Sequence, residues 1–369
     1  MADVSETKIY PVDCNSVICQ SDVRLIKQHF KVVQEKQMEY NRLGSSGFKI
    51  SKIIYGNWLT HGSQIEQDIA TSCVKQALDL GITSFDTADV YALTKAEEVL
   101  GMALKGMRRE NLEIFTKVFW PTGSGANDRG LSRKHIIESC NSSLRRLGID
   151  YLDLYQAHRY DYETPIEETV EAFDHLIRTG KVLYIGVSEW RVEEIAGFLA
   201  VADSKLKTRI ISNQPQYSIL WRVIEKEVLP YCIAEGIGQI VWSPLAQGVL
   251  TGKYKVDQAP PANSRATDPM GSNFLSGFLR NEVLEAVAKL EPIAKDLNVT
   301  TAQMSLAWVL NHEGISGAIV GATKPAQLVE NVKALEVKLT DEILDKIDKA
   351  VEDVVVSDPS RTQSPKVRP

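Results

Sequence analysis

Short apolar runs alternate with amphipathic stretches along most of this chain. The runs lie at residues 53–58, 82–88, 112–119, 151–158, 182–187, 210–214, 239–243 and 318–321, each of strand length. Between the first two, Ile69, Cys73, Val74, Ala77 and Leu78 form a stripe at helical spacing that stops at Gly81. A second helix is predicted from Ser132 as N-cap, through His135, Ile136, Ile137 and Leu144, to Gly148. A third opens at Pro165, in its first turn, and runs toward Gly180. Eight strand–helix units at this length predict a closed (β/α)8 TIM barrel more than an open doubly wound sheet.

A β-hairpin is predicted ahead of the barrel, from residues 39–43, the turn Gly44-Ser45-Ser46-Gly47 and residues 48–50. The longest break, between Ala246 and Thr301, holds Pro260-Pro261 and Ser264-Arg265. It reads as a lid-like insertion after strand seven, followed by a helix. Residues 1–37 lack the strand–helix rhythm. Val23, Leu25, Ile26, Phe30 and Val33 are only loosely helical in spacing, so this part is expected to be a weakly ordered extension. The barrel then spans 38–356. The Ser-, Pro-, Lys- and Arg-rich residues 357–369 are expected to be disordered.

Composition narrows the function. With 44% hydrophobic residues the chain can fill a large core, and a net charge of −6 gives no reason to expect nucleic acid or an anionic membrane as partner. Its five cysteines are scattered, so no disulfide framework is predicted and a reducing cytoplasm fits. Cys14 and Cys19 lack neighbours to complete a metal site, and none is expected. No apolar run reaches the length of a membrane span, and the N-terminus lacks a signal-peptide core.

Chemistry concentrates at three strand ends. Phe85-Asp86-Thr87-Ala88-Asp89-Val90-Tyr91 places a carboxylate and a phenol five residues apart. Lys117 and His158 end the next two runs. A barrel sets its chemistry at the C-terminal ends of its strands. There Lys117 can favour ionisation of the Tyr91 phenol, Asp86 can hold Lys117, and His158 can donate to a substrate oxygen. Such a set polarises a carbonyl and protonates the alkoxide left by hydride attack. The bland reading of each residue alone is a buried ion pair or a loop tyrosine; four of them together at strand ends weigh against it.

Hydride must come from a nicotinamide, since no side chain supplies it. Yet no Gly-x-Gly-x-x-Gly follows the first strand. The stretch Gly248-Val249-Leu250-Thr251-Gly252-Lys253 has the wrong spacing for a nucleotide triphosphatase loop, with Tyr254 where Ser or Thr should stand. It can still offer amides and Lys253 to a diphosphate, and Arg265 can add a planar fork to a ribose phosphate. Both cations read equally well as solvated loop residues. Trp58 and Trp120 read equally as rim packing or substrate walls, and Gln327, Glu330 and Asn331 as an ordinary polar helix face.

Over about residues 38–350 the chain resembles the aldo-keto reductases. It is most similar to the branch holding voltage-gated potassium-channel β-subunits and their bacterial and plant relatives. The motifs are Gly56-Asn57-Trp58, Phe85 to Tyr91, Lys95-Ala96-Glu97-Glu98-Val99-Leu100-Gly101, Thr116-Lys117-Val118-Phe119-Trp120, Gly130-Leu131-Ser132-Arg133-Lys134-His135-Ile136, Gly186-Val187-Ser188-Glu189-Trp190, Trp242-Ser243-Pro244-Leu245-Ala246 and Gly321-Ala322-Thr323. The resemblance implies NADP(H) as cofactor, Tyr91 as general acid, Lys117 as its pKa-lowering partner, Asp86 as partner of Lys117 and His158 as donor to the substrate oxygen. It implies cofactor contacts at Asn57, Trp58, Gln64, Asp86, Ser188, Gln214, Trp242, Ser243, Pro244, Leu245, Ala246, Lys253, Arg265, Gly321, Thr323, Gln327, Glu330 and Asn331. It implies a substrate pocket of Trp58, Tyr91, Trp120 and His158. Animal channel β-subunits carry Asn where this chain has His158, which favours catalysis here. In many other aldo-keto reductases an aromatic stacks on the nicotinamide; Tyr217 would be that residue, while Gln214 fits the β-subunit pattern, so the stacking partner stays open.

Three functions follow as expectations. The first is a cytoplasmic NADPH-dependent reductase of aldehydes or ketones, acting on small carbonyl substrates. The second is a redox-reporting accessory subunit that binds NADP(H) and docks on a channel. The third is a barrel enzyme using Lys117 as a Schiff-base nucleophile, which a neighbouring Asp86 disfavours. Relatives assemble into rings, so a homo-oligomer is in keeping with the resemblance.

Overall fold

The structure, a computed structural model, describes residues 38–58, 67–262, 264–268, 271–275 and 277–369. The expected extension at 1–37 and the cofactor candidate Gln64 lie outside the described residues.

The hairpin forms as β1 (Tyr40–Arg42) and β2 (Lys49–Ser51), antiparallel, with Tyr40 opposite Ser51. Its turn fixes Gly44 with φ of +59°, and a Cβ there would sit 2.2 Å from Gly236 O. Only glycine can make that approach. The eight barrel strands are β3 (Ile53–Gly56), β4 (Ser84–Asp86), β5 (Glu113–Val118), β6 (Leu152–Ala157), β7 (Val182–Val187), β8 (Ser212–Asn213), β9 (Gly238–Val241) and β10 (Ile315–Val320). They pair in sequence order, all parallel, and β10 closes on β3. Each predicted apolar run supplies one strand.

Alternation along the strands divides the core in two. Ile54, Phe115, Leu154 and Ile240 point into the barrel and pack with Leu43 and Ile50 of the hairpin. The hairpin therefore plugs the end where the strands begin, and the open end is where they finish. Residues of opposite parity, such as Ile53, Ile114, Val118 and Ile185, pack outward on the helices in the larger cluster.

Among the described residues the helices are α1 (Gln67–Asp79), α2 (Lys95–Leu104), α3 (Arg133–Leu147), α4 (Ile166–Arg178), α5 (Val192–Val201), α6 (Val228–Ala234), α7 (Asn281–Asp296), α8 (Thr301–Asn311), α9 (Pro325–Val332) and α10 (Asp341–Val351). Helix α3 begins and ends as predicted: the Ser132 hydroxyl accepts from His135 N at 3.3 Å, and Gly148 turns left-handed. Pro165 stands one residue before α4, as its N-cap. The segment after β9 runs through short 3-10 turns at Ala246–Thr251, Arg265–Thr267 and Ser272–Phe274 before α7.

Residues 357–369 differ from the disorder expected from their composition. Val356 pairs with Trp221, Ser364 Oγ accepts from Tyr160 N at 2.9 Å, and Arg368 Nη2 meets Asp161 at 2.9 Å. A buried carboxylate thus pins a tail whose own sequence has no periodicity.

Candidate active site

The chemistry gathers at the open end of the barrel. In β5, Phe115 and Lys117 share the inward face; Phe115 fills the interior and Lys117, two residues on, lies above it fully buried. A buried ammonium needs acceptors for all of its protons. Lys117 Nζ donates to Asp86 Oδ2 at 2.7 Å, to Thr87 O at 2.7 Å and to the Tyr91 hydroxyl at 3.2 Å. Asp86 Oδ1 accepts in turn from Gln214 Nε2 at 2.8 Å.

Each pKa follows from this arrangement. Burial works against the Lys117 ammonium, but Asp86 and the Tyr91 oxygen offset it and the pKa is raised. Burial pushes the Asp86 carboxyl up while Lys117 and Gln214 pull it down. Both oxygens of that carboxylate receive donors, the arrangement of an ionised group. Burial also raises the Tyr91 phenol, outweighing the downward pull of Lys117. The sequence-based expectation of a lowered phenol is thus corrected: Lys117 does act downward, yet the net shift is upward. A phenol that keeps its proton at neutral pH suits an acid, and the ammonium stabilises the phenolate once the proton leaves.

Tyr91 is presented by an unusual turn. The next three residues, Ala92, Leu93 and Thr94, have φ of 50°, 54° and 76°. Three successive non-glycine residues in the left-handed region store strain at a site, of order 1 kcal/mol each.

His158, at the end of β6, is buried, and its Nδ1 has no hydrogen-bond partner among the described residues. Burial, then the charges of Lys117 and Arg159, hold its pKa well below the ordinary value, so the ring is neutral. Its centroid lies 5.8 Å from Tyr91 and 6.2 Å from Trp120, both edge-on. Trp58 lies 6.5 Å from the Tyr91 ring. Trp58 and His158 thus flank Tyr91, and Trp120 lies on the far side of His158. Phe274, 4.6 Å from Trp58, joins this wall from the long segment after β9. No local pattern in that segment marked it.

The residues considered for cofactor contact divide into three groups. Ser188 and Gln214 lie beside the centre: Ser188 Oγ donates to Gln214 O at 2.8 Å, and Gln214 reaches Asp86. Asn57 is buried at the end of β3, its Nδ2 donating to Ala96 O at 3.0 Å. Tyr217 is buried against Trp308 with its hydroxyl on Glu225, so Gln214 rather than Tyr217 occupies the centre.

The second group surrounds the turn after β9, where Trp242, Ser243, Pro244, Leu245 and Ala246 follow in sequence. Trp242 Nε1 donates to Glu189 Oε1 at 2.9 Å. Ser243, Ala246, Gln247 and Gly248 all have positive φ. Gln247 links Ser243 to Arg265: its Nε2 donates to Ser243 Oγ and its Oε1 accepts from Arg265 Nη1. Arg265 lies 5.8 Å over the Trp58 ring, which ties this turn to the pocket. A Cβ at Gly248 would come within 3.2 Å of Lys253 Nζ. Lys253 and Arg265 thus bring two cations to this turn, and that donor set fits a phosphorylated dinucleotide.

The third group opens α9. Gln327 Oε1 accepts from Thr323 N at 2.7 Å and Lys324 N at 3.2 Å, fixing the turn from Gly321 into the helix. Glu330 bonds Lys333 and Gln303, and Asn331 lies beside it, half-buried. These contacts account for all but Asn331 structurally, so their spacing alone assigns no role.

Among the described residues no group of His, Cys, Asp and Glu could hold a metal ion, and no helix is long and apolar enough to cross a membrane.

Residues 52–352 match the Aldo/keto reductase family, and the chain belongs to that family of oxidoreductases. It is 43% identical over 332 residues to a protein of Oryza sativa subsp. japonica named "Probable voltage-gated potassium channel subunit beta", covering 89% of this chain and 99% of that protein. A protein of Arabidopsis thaliana with the same name is likewise 43% identical, with the same coverage. A "Putative voltage-gated potassium channel subunit beta" of Schizosaccharomyces pombe is 44% identical over 326 residues, 85% of this chain and 94% of that one.

Proposed function

We propose that the protein is a cytoplasmic NADPH-dependent reductase of aldehydes and ketones. The observation that carries this reading is Lys117, whose ammonium joins the Asp86 carboxylate to the Tyr91 hydroxyl inside an aromatic pocket. A reduced nicotinamide, when bound, supplies the hydride for the carbonyl carbon. Tyr91 gives its proton to the oxygen, and Lys117 stabilises the phenolate that remains. The neutral His158 ring directs one N–H at the same oxygen and so orients the carbonyl. The product is the alcohol, and Tyr91 regains its proton from solvent.

Asp86 holds Lys117 in place; Ser188 and Gln214 lie where they can orient the nicotinamide amide. The Ser243–Gly248 turn, Lys253 and Arg265 would receive the phosphates, with Arg265 selecting the extra phosphate of NADPH. Trp242, Gly321, Thr323, Gln327, Glu330 and Asn331 are assigned to the cofactor by family resemblance.

The test is consumption of NADPH with a panel of aldehydes by wild type and Tyr91→Phe. Turnover should fall about 100-fold or more in the variant while NADPH binding is kept. Undiminished turnover by Tyr91→Phe would remove Tyr91 as the acid.

A second reading comes from the names of the relatives: an accessory subunit that binds NADP(H), assembles with its own copies and docks on a membrane channel. Tight NADPH binding with negligible turnover, plus co-purification with a membrane protein, would favour it over the enzyme.

A further inference from the structure

The residue after His158 has no role in the reaction as derived. Arg159 is half-buried at the pocket wall. Its Nη1 donates to His158 O at 2.5 Å and approaches Ser188 Oγ at 3.5 Å. Its guanidinium carbon lies 5.7 Å over the Trp120 ring. That ring meets His158 edge-on at 6.2 Å, and the Arg159 charge acts on both Tyr91 and His158.

The remaining N–H groups of that guanidinium carry the argument. Several other half-buried arginines pair with carboxylates, Arg109 with Asp153, Arg146 with Glu97, Arg222 with Asp348 and Arg368 with Asp161, whereas Arg265 bonds the Gln247 amide and Arg129 main-chain oxygens. Among the described residues no carboxylate lies within ion-pair distance of Arg159. Glu189 acts on it electrostatically, but its Oε1 is held by Gln216 N at 2.5 Å and Trp242 Nε1 at 2.9 Å. Removing a guanidinium from water without a partner is costly, and five donors in a planar fork match a carboxylate in bidentate fashion. The His158 carbonyl and the Trp120 face hold the fork in place, which lowers the entropy cost of binding.

We propose that Arg159 is a specificity-determining residue that receives a carboxylate of the substrate, so that the preferred substrates are short oxo acids. This rests on the reductase reading. With the carbonyl oxygen between Tyr91 and His158, a carboxylate a few bonds away can reach the guanidinium, which lies over the Trp120 ring that meets His158 edge-on.

Two measurements test it. The first is the ratio of kcat/KM for 4-oxobutanoate to that for pentanal, a neutral aldehyde of similar length, with NADPH. Wild type should favour 4-oxobutanoate about tenfold or more, and Arg159→Gln should collapse that ratio mainly through KM. Arg159→Lys should restore part of it. A ratio unchanged by Arg159→Gln, with both substrates falling together, would overturn the proposal and leave Arg159 acting through Tyr91. The second measurement, by calorimetry, compares butanoate with butanamide and needs no turnover. Butanoate should bind wild type more tightly than butanamide, and Arg159→Gln should erase the difference. Equal binding of the two by wild type overturns the anion site. Absence of turnover with every aldehyde strikes the reductase reading instead, and calorimetry alone then decides on Arg159.

Discussion

Lys117 Nζ reaches the Tyr91 hydroxyl at 3.2 Å with the one ammonium proton that Asp86 and Thr87 O leave over. The other two contacts are each 2.7 Å and fix where the third points. The ammonium therefore has no freedom to swing away from the phenol. Its pull on Tyr91 is weaker than the effect of burial, so the phenol rests protonated with a cation in place for the phenolate.

Lys117→Met should cut turnover by about 10²–10⁴-fold, because the phenolate loses the ammonium that donates to it. The same change strands Asp86, a buried carboxylate, at a cost of about 3–5 kcal/mol in stability. Adding Asp86→Asn should recover stability without recovering turnover. Denaturant midpoints and kcat, measured on both variants, separate the two effects. A single variant that keeps full turnover would contradict the assigned role.

Arg265→Ala should narrow the preference for NADPH over NADH by about tenfold or more, since a guanidinium gives a phosphate two parallel hydrogen bonds. Fluorescence titration of both nucleotides against both proteins reads this out. The Gln247 contact makes the prediction sharper: Gln247→Ala removes the group that Arg265 Nη1 donates to, so it should narrow the preference in the same direction but by less. Equal binding of NADPH and NADH by wild type would count against the phosphate assignment.

Much of the fold could be read along the chain because the signals are local. Parity within β5 alone sends Phe115 and Lys117 inward and Thr116 outward, and the apolar runs mark all eight strands. Asp86, Tyr91, Lys117 and His158 were legible as strand-end residues. What was not legible depends on contacts between distant segments. Phe274 reaches Trp58 from a segment with no periodicity, and Arg159 stands out only once its neighbours are seen to lack a free carboxylate. The tail failed for the same reason: Arg368 is separated from Asp161 by 207 residues. The sign of the Tyr91 shift depended on burial, which neighbouring residues do not reveal.

Asp161 organises the loop that follows His158 and Arg159. Its Oδ2 accepts from Leu131 N at 2.7 Å and Thr164 Oγ1 at 2.7 Å, and both oxygens meet Arg368 Nε. Although burial alone would raise it, these donors hold its pKa below the usual carboxylate range. A depressed pKa gives stability that is present above the unfolded value and lost as pH falls through the folded one. Asp161 keeps its Leu131, Glu163 and Thr164 donors, so Arg368→Met should destabilise by about 2 kcal/mol at neutral pH, the worth of a charged hydrogen bond, and weaken the dependence on acid. Denaturant unfolding at pH 7 and near pH 3 checks both. If the variant matches wild type at both, the tail contact contributes nothing to stability.

Two buried carboxylates, Asp89 and Glu97, form a pair whose charge is not balanced. Asp89 and Glu97 are both fully buried, and Arg146 Nε binds Glu97 at 2.6 Å while Thr116 Oγ1 donates to it at 2.6 Å. Asp89 receives Ser139 Oγ at 2.7 Å, and its Oδ1 has no partner among the described residues. Burial, then the charge of Glu97, pushes Asp89 up to about 8. The folded protein thus keeps a proton on Asp89 that the unfolded chain releases near pH 4. Between these values the folded state binds more protons, so stability falls as pH rises from about 4 to about 8, then levels off. Asp89→Asn mimics the protonated side chain and keeps an oxygen for Ser139. It should flatten that fall and be more stable than wild type at pH 8 by on the order of a few kcal/mol, with little difference at pH 4. Because Asp89 N also bonds Lys117 O at 3.3 Å, the variant leaves the strand end in place and its turnover at pH 6 serves as the control for folding. A stability profile parallel to that of wild type from pH 4 to pH 8 would mean that Asp89 is already ionised in the folded protein.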